Sequence, residues 1–310
     1  MSKYPEITVL MPVFNAEQDL RQAVDSILSQ TFTNFEFLII DDGSVDKSYQ
    51  ILASYHDSRI RLERNEKNIG LVATLNKGIS LAKGAYIARM DNDDISLPNR
   101  LEEQYKLLEM QGADIAGCQF NVVNSSGAHL KSACVPLSSD EFTVCLANTV
   151  PFAHGSVMIK KSFLQKNKLQ YGPGQYSEDY DLWTRMYENG ANFVNCKSVL
   201  FSYREHPTSL TKKKLTQYLA SSEQIRRKFL SANSKKCSLS LHNLLYKNIN
   251  YYEMQVDMFV LSCRLLGQPG VKSFIFQSLY RLRLKAILHG VTRLLRSYYL
   301  NFSHVKSGKQ

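Results

Sequence analysis

The sequence predicts an α/β protein, a largely parallel sheet with flanking helices, followed by a basic helical region. Over the first 120 residues, short apolar runs alternate with amphipathic stretches, which is the pattern of βαβ units. Residues 211–310 contain few Gly or Pro and hold 18 Lys and Arg against 3 Asp and Glu, whereas the other 210 residues hold 20 and 25. We therefore expect two domains, residues 1–210 and 211–310, with a boundary close to "SLTKKK".

The elements of the first half follow from hydrophobic periodicity. The predicted strands are "ITVLMP" (7–12), "FEFLII" (35–40), "IRLERN" (60–65) and "AYIARM" (85–90). The main predicted helices are 17–30, 71–84, closed by Gly84, and 98–112, with Pro98 near its start. Ligands of open α/β sheets lie beyond the carboxyl ends of the strands. The sequence therefore predicts that "DDGS" (41–44) and "DNDD" (91–94) share one edge.

A mixed pattern covers residues 113–205, and helices dominate after residue 211. We expect strands in 114–123, 155–161 and 192–204, the last as more than one strand, and a helix over 178–190. We expect no signal peptide, because the apolar run "ITVLMPV" is short and lacks a basic leader. No run of about 18 apolar residues predicts a transmembrane helix. The six cysteines show no close pairs and no metal-like spacing, which predicts reduced thiols in a cytosolic setting.

The stretch "MDNDD" carries three carboxylates in four positions: Asp91, Asp93 and Asp94. Such groups repel one another unless a cation gathers them, and Mn²⁺ or Mg²⁺ binds carboxylate and phosphate oxygens together. A polar turn leading into the next helix is the structural alternative. For "DDGS" the alternative is an Asp-Gly turn with Ser44 or Asp46 capping a helix.

Two further motifs have simple structural explanations when taken alone. Glu178, Asp179 and Asp181 open a predicted helix, where the helix dipole favours acidic side chains. His206 follows a strand-like run, and a single histidine is more often a surface or core residue than a ligand. Neither motif would identify a site by itself.

The order of these motifs resembles family 2 of the glycosyltransferases, which have the GT-A fold. The resemblance covers roughly residues 5–210 and depends on four segments in the right order. These segments are "VLMPVFNAEQDLRQAVDSILSQTFTNFEFLIIDDGSVDKS", "NIGLVATLNKGISLAKGAYIARMDNDD", "SEDYDLWTRM" and "YREHPTSLT". It implies a nucleotide-binding βαβ half and a mixed, acceptor-binding half.

The resemblance also implies roles for individual residues of the donor site. Pro12 and Phe14 would cradle the nucleotide base, and Asp42 matches the carboxylate that hydrogen-bonds a uracil. Asp91 would contact the ribose or the sugar, and Asp93 would ligate the metal ion that bridges the phosphates. Asn92, between them, fills a place often taken by a small residue, and we expect it to be tolerated.

On the acceptor side the resemblance makes Asp179 the general base. His206 matches a histidine that often helps to hold the metal or the diphosphate, and Glu178 is expected near the acceptor. "FAHGSVMIKK" looks like the segment beside the acceptor, with His154 and Ser156 as candidates for sugar or acceptor contacts. A metal ion at the leaving diphosphate and a base on the opposite face of the sugar would invert the anomeric centre.

The sequence thus predicts a Mn²⁺- or Mg²⁺-dependent enzyme that uses a nucleotide sugar, expected to be a UDP-sugar. The resemblance implies that the acceptor is a glycan or polyprenyl-linked glycan in the synthesis of a surface polysaccharide such as lipopolysaccharide or capsule. A nucleotidyltransferase is an alternative, but it would show a Gly-rich, basic phosphate loop that "MPVFNAEQD" lacks. A non-catalytic assembly protein that binds nucleotide sugars is another, although it would not need a base at Asp179.

The segment 278–300 predicts an amphipathic helix. Six apolar side chains fall within an arc of about 80°, and four basic ones gather on the opposite face. One interpretation is a helix that lies on an anionic membrane surface, making the enzyme peripheral on the inner face of the cell membrane. The other is a helix packed on the catalytic domain. No nucleic-acid-binding module is apparent, so nucleic acid is not an expected partner.

Overall fold

The structure is a computed structural model that describes residues 4–172, 176–206, 214–245, 252–265, 286, 287, 290–292 and 294. The chain divides into two compact units. The first comprises residues 1–135, 152–173 and 185–207, and the second comprises 136–151, 174–184 and 208–310. The predicted boundary after residue 210 lies close to the last of these divisions. Two earlier segments that the prediction gave to the first domain are grouped with the C-terminal residues.

The first unit is built on one sheet of nine strands, counted over the described residues. The order along the sheet is β3-β2-β1-β4-β8-β6-β9-β5, and β7 pairs with β6. The strands are β1 (Ile7–Val13), β2 (Phe35–Asp41), β3 (Ile60–Arg64), β4 (Tyr86–Arg89), β5 (Ile95–Ser96), β6 (Ile115–Val123), β7 (His129–Ala133), β8 (Met158–Lys160) and β9 (Phe193–Arg204).

Strands β1 to β4 form the predicted parallel half. Every residue of β1 and β2 is buried, as expected for strands covered on both faces. The helices of this unit are α1 (Leu20–Leu28), α2 (Ser48–Ala53), α3 (Leu71–Leu81), α4 (Arg100–Gln111) and α6 (Lys161–Lys166).

The predicted end of α3 at Gly84 is wrong, because the helix ends at Leu81. A Cβ atom at Gly84 would lie 2.4 Å from Thr8 N, so this glycine lets the chain approach β1 closely.

The mixed half begins where β8 inserts antiparallel between β4 and β6. Strand β9 runs parallel to β6 and pairs antiparallel with the two-residue strand β5. The expectation of more than one strand over 192–204 is wrong: β9 is continuous for 12 residues, with register shifts opposite Cys118 to Phe120. This length brings Arg204 to the same region as the loop that follows β4.

The second unit is helical in its described residues. It contains α5 (Ser139–Leu146), α8 (Leu215–Leu245), α9 (Tyr252–Arg264) and the first seven residues of α7 (Glu178–Glu188). Helix α8 is kinked at Asn233, whose φ of −120° is not helical. In the parts of the chain that the structure describes, no helix combines the length and the apolar character needed to cross a membrane.

Most of the predicted amphipathic segment 278–300 lies outside the described residues. Of those described, Ala286 and Leu294 pack with Val256 and Val260 of α9. Val291, one of the six side chains on the predicted apolar face, is 40% exposed. The described part of this segment therefore buries a face that includes Ala286 rather than Val291.

Candidate active site

Interlocking loops follow β1 and β2 at the carboxyl edge of the parallel strands. Asn15, in a left-handed conformation with φ of 50°, accepts a hydrogen bond from Val45 N and donates its own N–H to Ser44 Oγ, both at 3.0 Å. Phe14 precedes this contact and is 44% exposed, whereas Pro12 is buried in β1. The loops thus hold an exposed aromatic ring at the predicted nucleotide edge.

Asp42 is buried directly after β2, and its carboxylate holds a neighbouring loop. It accepts hydrogen bonds from Asn65 Nδ2 at 2.8 Å and from the N–H groups of Ile69 and Gly70, each at 2.9 Å. Gly43 brings this loop close, since a Cβ atom there would lie 2.7 Å from Lys67 C. Whatever Asp42 contributes to nucleotide binding, it also fixes residues 65–70 against the strand end.

The acidic loop, residues 91–94 after β4, is anchored from several sides. Asp91 Oδ1 accepts a hydrogen bond from Arg89 Nη2 at 2.6 Å, and Arg89 is itself buried. Asn92 Nδ2 donates to Pro12 O at 3.3 Å, so this residue ties the acidic loop to β1. A Cβ atom at Gly155 would lie 2.7 Å from Asp91 Oδ2, so the backbone of Gly155 closes against the loop.

Asp93 faces His206, and the family resemblance assigns both residues to a metal ion. His206 Nε2 lies 3.5 Å from Asp93 Oδ2 and 3.5 Å from Asp19 Oδ2. No described residue forms a hydrogen bond with that nitrogen. Burial, together with the negative charges of Asp91 and Asp19, raises the pKa of Asp93 to about 7. The carboxylate therefore lies where a cation would stabilise its charged form.

Asp94, the last residue of the acidic loop, is buried. Its Oδ1 accepts a hydrogen bond from Arg204 N at 2.7 Å, and no described residue forms a hydrogen bond with Oδ2. Burial, and then repulsion from Asp91 and Asp93, raises the pKa of Asp94 well above its usual range. The loop thus concentrates negative charge that the protein only partly neutralises.

This chemistry fits a hard divalent cation held with help from a substrate. Among the described residues no group of three or more His, Cys, Asp or Glu is arranged to hold a metal ion. Asp93 and His206 could supply two ligands. Mg²⁺ is usually bound by one or two protein carboxylates together with substrate phosphates, which leaves the other positions to a diphosphate.

The two candidates from "FAHGSVMIKK" have different environments. His154 Nε2 lies 2.9 Å from the Tyr171 hydroxyl. Burial and the positive charge of Arg89 lower the pKa of His154 to about 3, so its imidazole is neutral near pH 7. Ser156 is completely buried and donates its hydroxyl hydrogen to Ala153 O at 2.8 Å. This placement favours a structural role for Ser156 rather than a contact with a sugar.

Glu178 and Asp179 belong to the second unit, where they form the first turn of α7. Asp179 Oδ1 accepts a hydrogen bond from Tyr180 N at 2.7 Å. The preceding residue, Ser177, is buried with its Oγ 2.7 Å from Ser222 Oγ of α8. Helix α8 therefore supports the start of the helix that carries the predicted base.

The sequence analysis did not identify two residues that lie beside the acidic loop, Asp19 and Arg204. Asp19 immediately precedes α1, where an acid is an ordinary helix-start residue. Arg204 ends β9 and is buried, although arginine is rarely buried unless it is paired. The only available signal was its position two residues before His206 in "YREH".

The chain is similar to known proteins over more than half of its length. The family model "Glycosyl transferase family 2" matches residues 8–167. The chain is 33% identical over 226 residues to the O-antigen biosynthesis glycosyltransferase WbnJ of Escherichia coli, covering 71% of this chain and 87% of WbnJ. It is 27% identical over 212 residues to the E. coli UDP-Glc:alpha-D-GlcNAc-diphosphoundecaprenol beta-1,3-glucosyltransferase WfgD, covering 68% and 81%.

Solved structures show the same architecture at low sequence identity. S. aureus TarS in complex with UDP-GlcNAc is similar with a TM-score of 0.59 and 14% identity, covering 94% of this chain and 81% of that one. The mannosyltransferase PcManGT of Pyrobaculum calidifontis, in complex with GDP-Man and Mn²⁺, is similar with a TM-score of 0.56 and 14% identity. The shared region covers 95% of this chain and 88% of PcManGT.

Proposed function

The chain belongs to glycosyl transferase family 2 and has the GT-A fold, and on this premise we propose the reaction that it catalyses. It moves a sugar from a UDP-sugar, with inversion, to a glycan or polyprenyl-linked glycan during synthesis of a surface polysaccharide. WbnJ is named for O-antigen biosynthesis and WfgD for a diphosphoundecaprenol acceptor. The acidic loop carries the proposal, because Asp93 faces His206 at 3.5 Å among negative charges that the protein only partly neutralises.

The donor end is assigned to residues at the edge of the parallel strands. Phe14 offers an exposed ring for the base, with Pro12 behind it in β1. Asp42 is assigned to the uracil in addition to its hydrogen bonds with residues 65–70. Asp91, oriented by Arg89, is assigned to the ribose or the sugar.

Asp93 and His206 would hold a Mn²⁺ or Mg²⁺ ion. When bound, that ion would act as a Lewis acid that neutralises the charge developing on the departing UDP. These two residues together offer an oxygen and a nitrogen ligand, and the substrate diphosphate would supply further oxygen ligands. The Mn²⁺ complex of PcManGT supports the choice of a divalent ion.

Asp179 is assigned as the base that takes the proton of the acceptor hydroxyl. Glu178, beside it, and His154 are assigned to contacts with the acceptor or the sugar. Attack by the acceptor hydroxyl on the face opposite the diphosphate inverts the anomeric centre. The basic residues 211–310 support a place at the inner face of the cell membrane, where an anionic surface and polyprenyl-linked acceptors occur together.

Calorimetry of UDP binding tests the donor assignment. We expect the wild-type protein to bind UDP more tightly with Mn²⁺ than without it. Asp93→Asn should lose this gain while still binding UDP without metal, because a neutral amide is a poor ligand for a hard cation. Asp57→Asn is the matched control, since Asp57 pairs with Arg59 away from the acidic loop. A wild-type protein whose UDP affinity does not respond to Mn²⁺ or Mg²⁺ would overturn the metal assignment.

A second measurement tests the reaction. Family 2 enzymes with a UDP-sugar donor should release UDP slowly from the correct donor even when water is the acceptor. A panel of UDP-sugars with Mn²⁺, read out as UDP released, would identify the sugar. Release from no member of the panel would contradict the choice of UDP as the nucleotide.

A further inference from the structure

Arg204 is a buried cation that contacts three separate parts of the first unit. Its Nε donates to Asp93 O at 2.8 Å, its Nη1 to Ser125 O at 2.9 Å and its Nη2 to Gln22 Oε1 at 2.8 Å. Only 2% of its side chain is exposed. A single guanidinium thus joins the acidic loop, the turn between β6 and β7, and helix α1.

The main chain of Arg204 adds a fourth connection. Its N–H donates to Asp94 Oδ1 at 2.7 Å. The acidic loop is therefore held twice by one residue, at the carbonyl of Asp93 and at the carboxylate of Asp94. Both connections flank the Asp93 side chain, so they restrict where its carboxylate can point.

Arg204 also constrains the residues on the other side of the proposed metal ion. His206 follows two positions later in the same segment. Asp19 lies 3.5 Å from Arg204 Nε through Oδ1 and 3.5 Å from His206 Nε2 through Oδ2. The guanidinium therefore adjoins the carboxylate that faces the imidazole, as well as the loop that carries Asp93.

We infer that Arg204 is a positioning residue that fixes Asp93 and His206 relative to each other for binding of the divalent cation and the UDP diphosphate. The inference rests on the proposed function, since it assigns a role toward the same cation. Arginine suits this task better than lysine because its planar group donates in several fixed directions at once. Residues that orient metal ligands typically change metal affinity by about 10–100-fold when they are mutated.

The test measures the apparent Mn²⁺ dissociation constant at saturating UDP for the full-length protein and for three variants. Arg204→Lys keeps the positive charge, but its single nitrogen cannot reach the three separate acceptors that Nε, Nη1 and Nη2 of the arginine reach. We expect its Mn²⁺ constant to rise by about tenfold or more. Arg59→Lys is the matched control, because Arg59 makes a similar set of bonds to Asp57 and to Leu28 O, away from the acidic loop.

Gln22→Ala keeps the test decisive if Arg204→Lys fails to fold. Gln22 is exposed on α1 and accepts one hydrogen bond from the guanidinium, so its replacement removes that bond. The buried charge of Arg204 stays in place. We expect a smaller rise in the Mn²⁺ constant, of about two- to fivefold, which is less than full loss of an orienting group.

Each outcome distinguishes the inference from the proposed function. If Arg204→Lys lowers the melting temperature but leaves the Mn²⁺ constant at the wild-type value, Arg204 only supports the fold and the inference is wrong. If it does not fold, an unchanged Mn²⁺ constant in Gln22→Ala has the same meaning. If the wild-type protein shows no metal-dependent UDP binding, the proposed metal site fails and the inference fails with it.

Discussion

Glu178 and Asp179 open helix α7 side by side, and only one of them can serve as the proposed base. Neighbouring helical residues point about 100° apart, so both cannot face one acceptor hydroxyl. Asp179→Asn keeps an oxygen that can accept the hydrogen bond from Tyr180 N, so the helix start should survive. We expect turnover to fall by about 10²–10⁴-fold, with normal binding of UDP and metal.

Glu178→Gln is the control for that substitution. It removes a carboxylate from the same helical turn and should lose much less turnover than Asp179→Asn. Turnover at saturating donor, measured beside UDP affinity by calorimetry, separates chemistry from binding. Near-normal turnover of Asp179→Asn together with an inactive Glu178→Gln would mean that the base is Glu178.

His154 provides a prediction about pH and stability. Its pKa is lowered to about 3 in the folded protein, by burial and by Arg89, whereas histidine in an unfolded chain titrates near 6.5. Between these values the unfolded chain binds a proton that the folded protein does not, so stability falls as the pH drops below about 6.5. Between pH 7 and pH 5, His154→Gln should therefore lose about 1–2 kcal/mol less folding stability than the wild-type protein does.

Urea unfolding at the two pH values measures this difference. His129→Gln is the control, because His129 is exposed on β7. It should leave the pH dependence as it is in the wild-type protein. If His154→Gln loses as much stability on acidification as the wild type does, another group causes the pH dependence.

The residues that sequence analysis found and missed differ in a physical way. Asp91 and Asp93 form part of a dense local cluster, and local charge repulsion is visible in a sequence. Asp19 and Arg204 become important only because β9 continues to Arg204 and brings this residue to Asp93 and Gln22. Contacts between residues about 110 and 180 positions apart depend on strand length and register, which a single sequence does not specify.

Among the secondary-structure elements, the parallel half was predictable because β1, β2 and β4 are largely apolar runs between helical patterns, and β3 alternates apolar and charged residues. Strand β5 was not, because its two residues are extended only through pairing with Phe201 and Ser202 of β9. Strand β7 is largely exposed and lacks the apolar alternation that marks a half-buried strand. Such elements take their structure from a partner strand rather than from local preference.

The turn after β2 allows a test of how the nucleotide edge is built. Gly43 has φ of +72°, and a Cβ atom there would lie 2.7 Å from Lys67 C. Gly112, after helix α4, has φ of +57° with nothing within 4 Å of such an atom. Gly112→Ala should therefore cost only the left-handed conformation, about 1 kcal/mol.

Gly43→Ala should cost more, about 2–4 kcal/mol in the free energy of unfolding, because a backbone clash adds to the same conformational cost. It should also weaken UDP binding without metal. The clash moves the loop of residues 65–70, whose N–H groups donate hydrogen bonds to Asp42. Denaturant unfolding and UDP calorimetry of both alanine variants provide the comparison. Equal destabilisation by the two substitutions would show that the loop moves away without cost.

Helix α8 shows why the C-terminal region is more than an appendage. Ser177, at the start of α7, lies within hydrogen-bonding distance of Tyr218 O and Ser222 Oγ. Tyr180 of the same turn donates its hydroxyl hydrogen to Leu146 O of α5. The sequence places a charge boundary near residue 210, but the packing of the second unit includes the segment that carries Asp179. The second unit therefore combines residues 136–151 and 174–184 with the residues that follow the division after residue 207.

Over the whole chain, the charge balance changes near residue 210, whereas the two structural units alternate along the sequence. Residues 211–310 carry 18 basic and 3 acidic side chains. Part of this charge is paired, since Glu223 accepts from both Arg226 and Arg227 and lies 3.7 Å from Arg264. Other basic side chains of α8, including Lys228 and Lys235, are exposed. The second unit therefore presents basic groups to its surroundings.

This charge predicts binding to anionic vesicles, with a mechanism that the described residues help to specify. Ala286 and Leu294 pack on α9, and Val291 is left 40% exposed. One apolar face of the segment is thus partly used within the protein, and charge remains as the main attraction to lipid. Each Lys or Arg near an anionic surface contributes about 1 kcal/mol, and salt screens this attraction.

We expect the protein to sediment with anionic vesicles at low salt and to be released at about 0.5 M salt, where the Debye length is only a few ångströms. Replacing Arg281, Arg283, Lys285, Arg293 and Arg296 by Gln should weaken this binding by about tenfold or more.

The control replaces five exposed lysines of the first unit, Lys47, Lys67, Lys83, Lys106 and Lys131. If the control weakens binding equally, net charge rather than this segment is responsible. Equal sedimentation with neutral vesicles, or none with anionic ones, would contradict electrostatic membrane binding and favour a C-terminal segment that only packs on the protein.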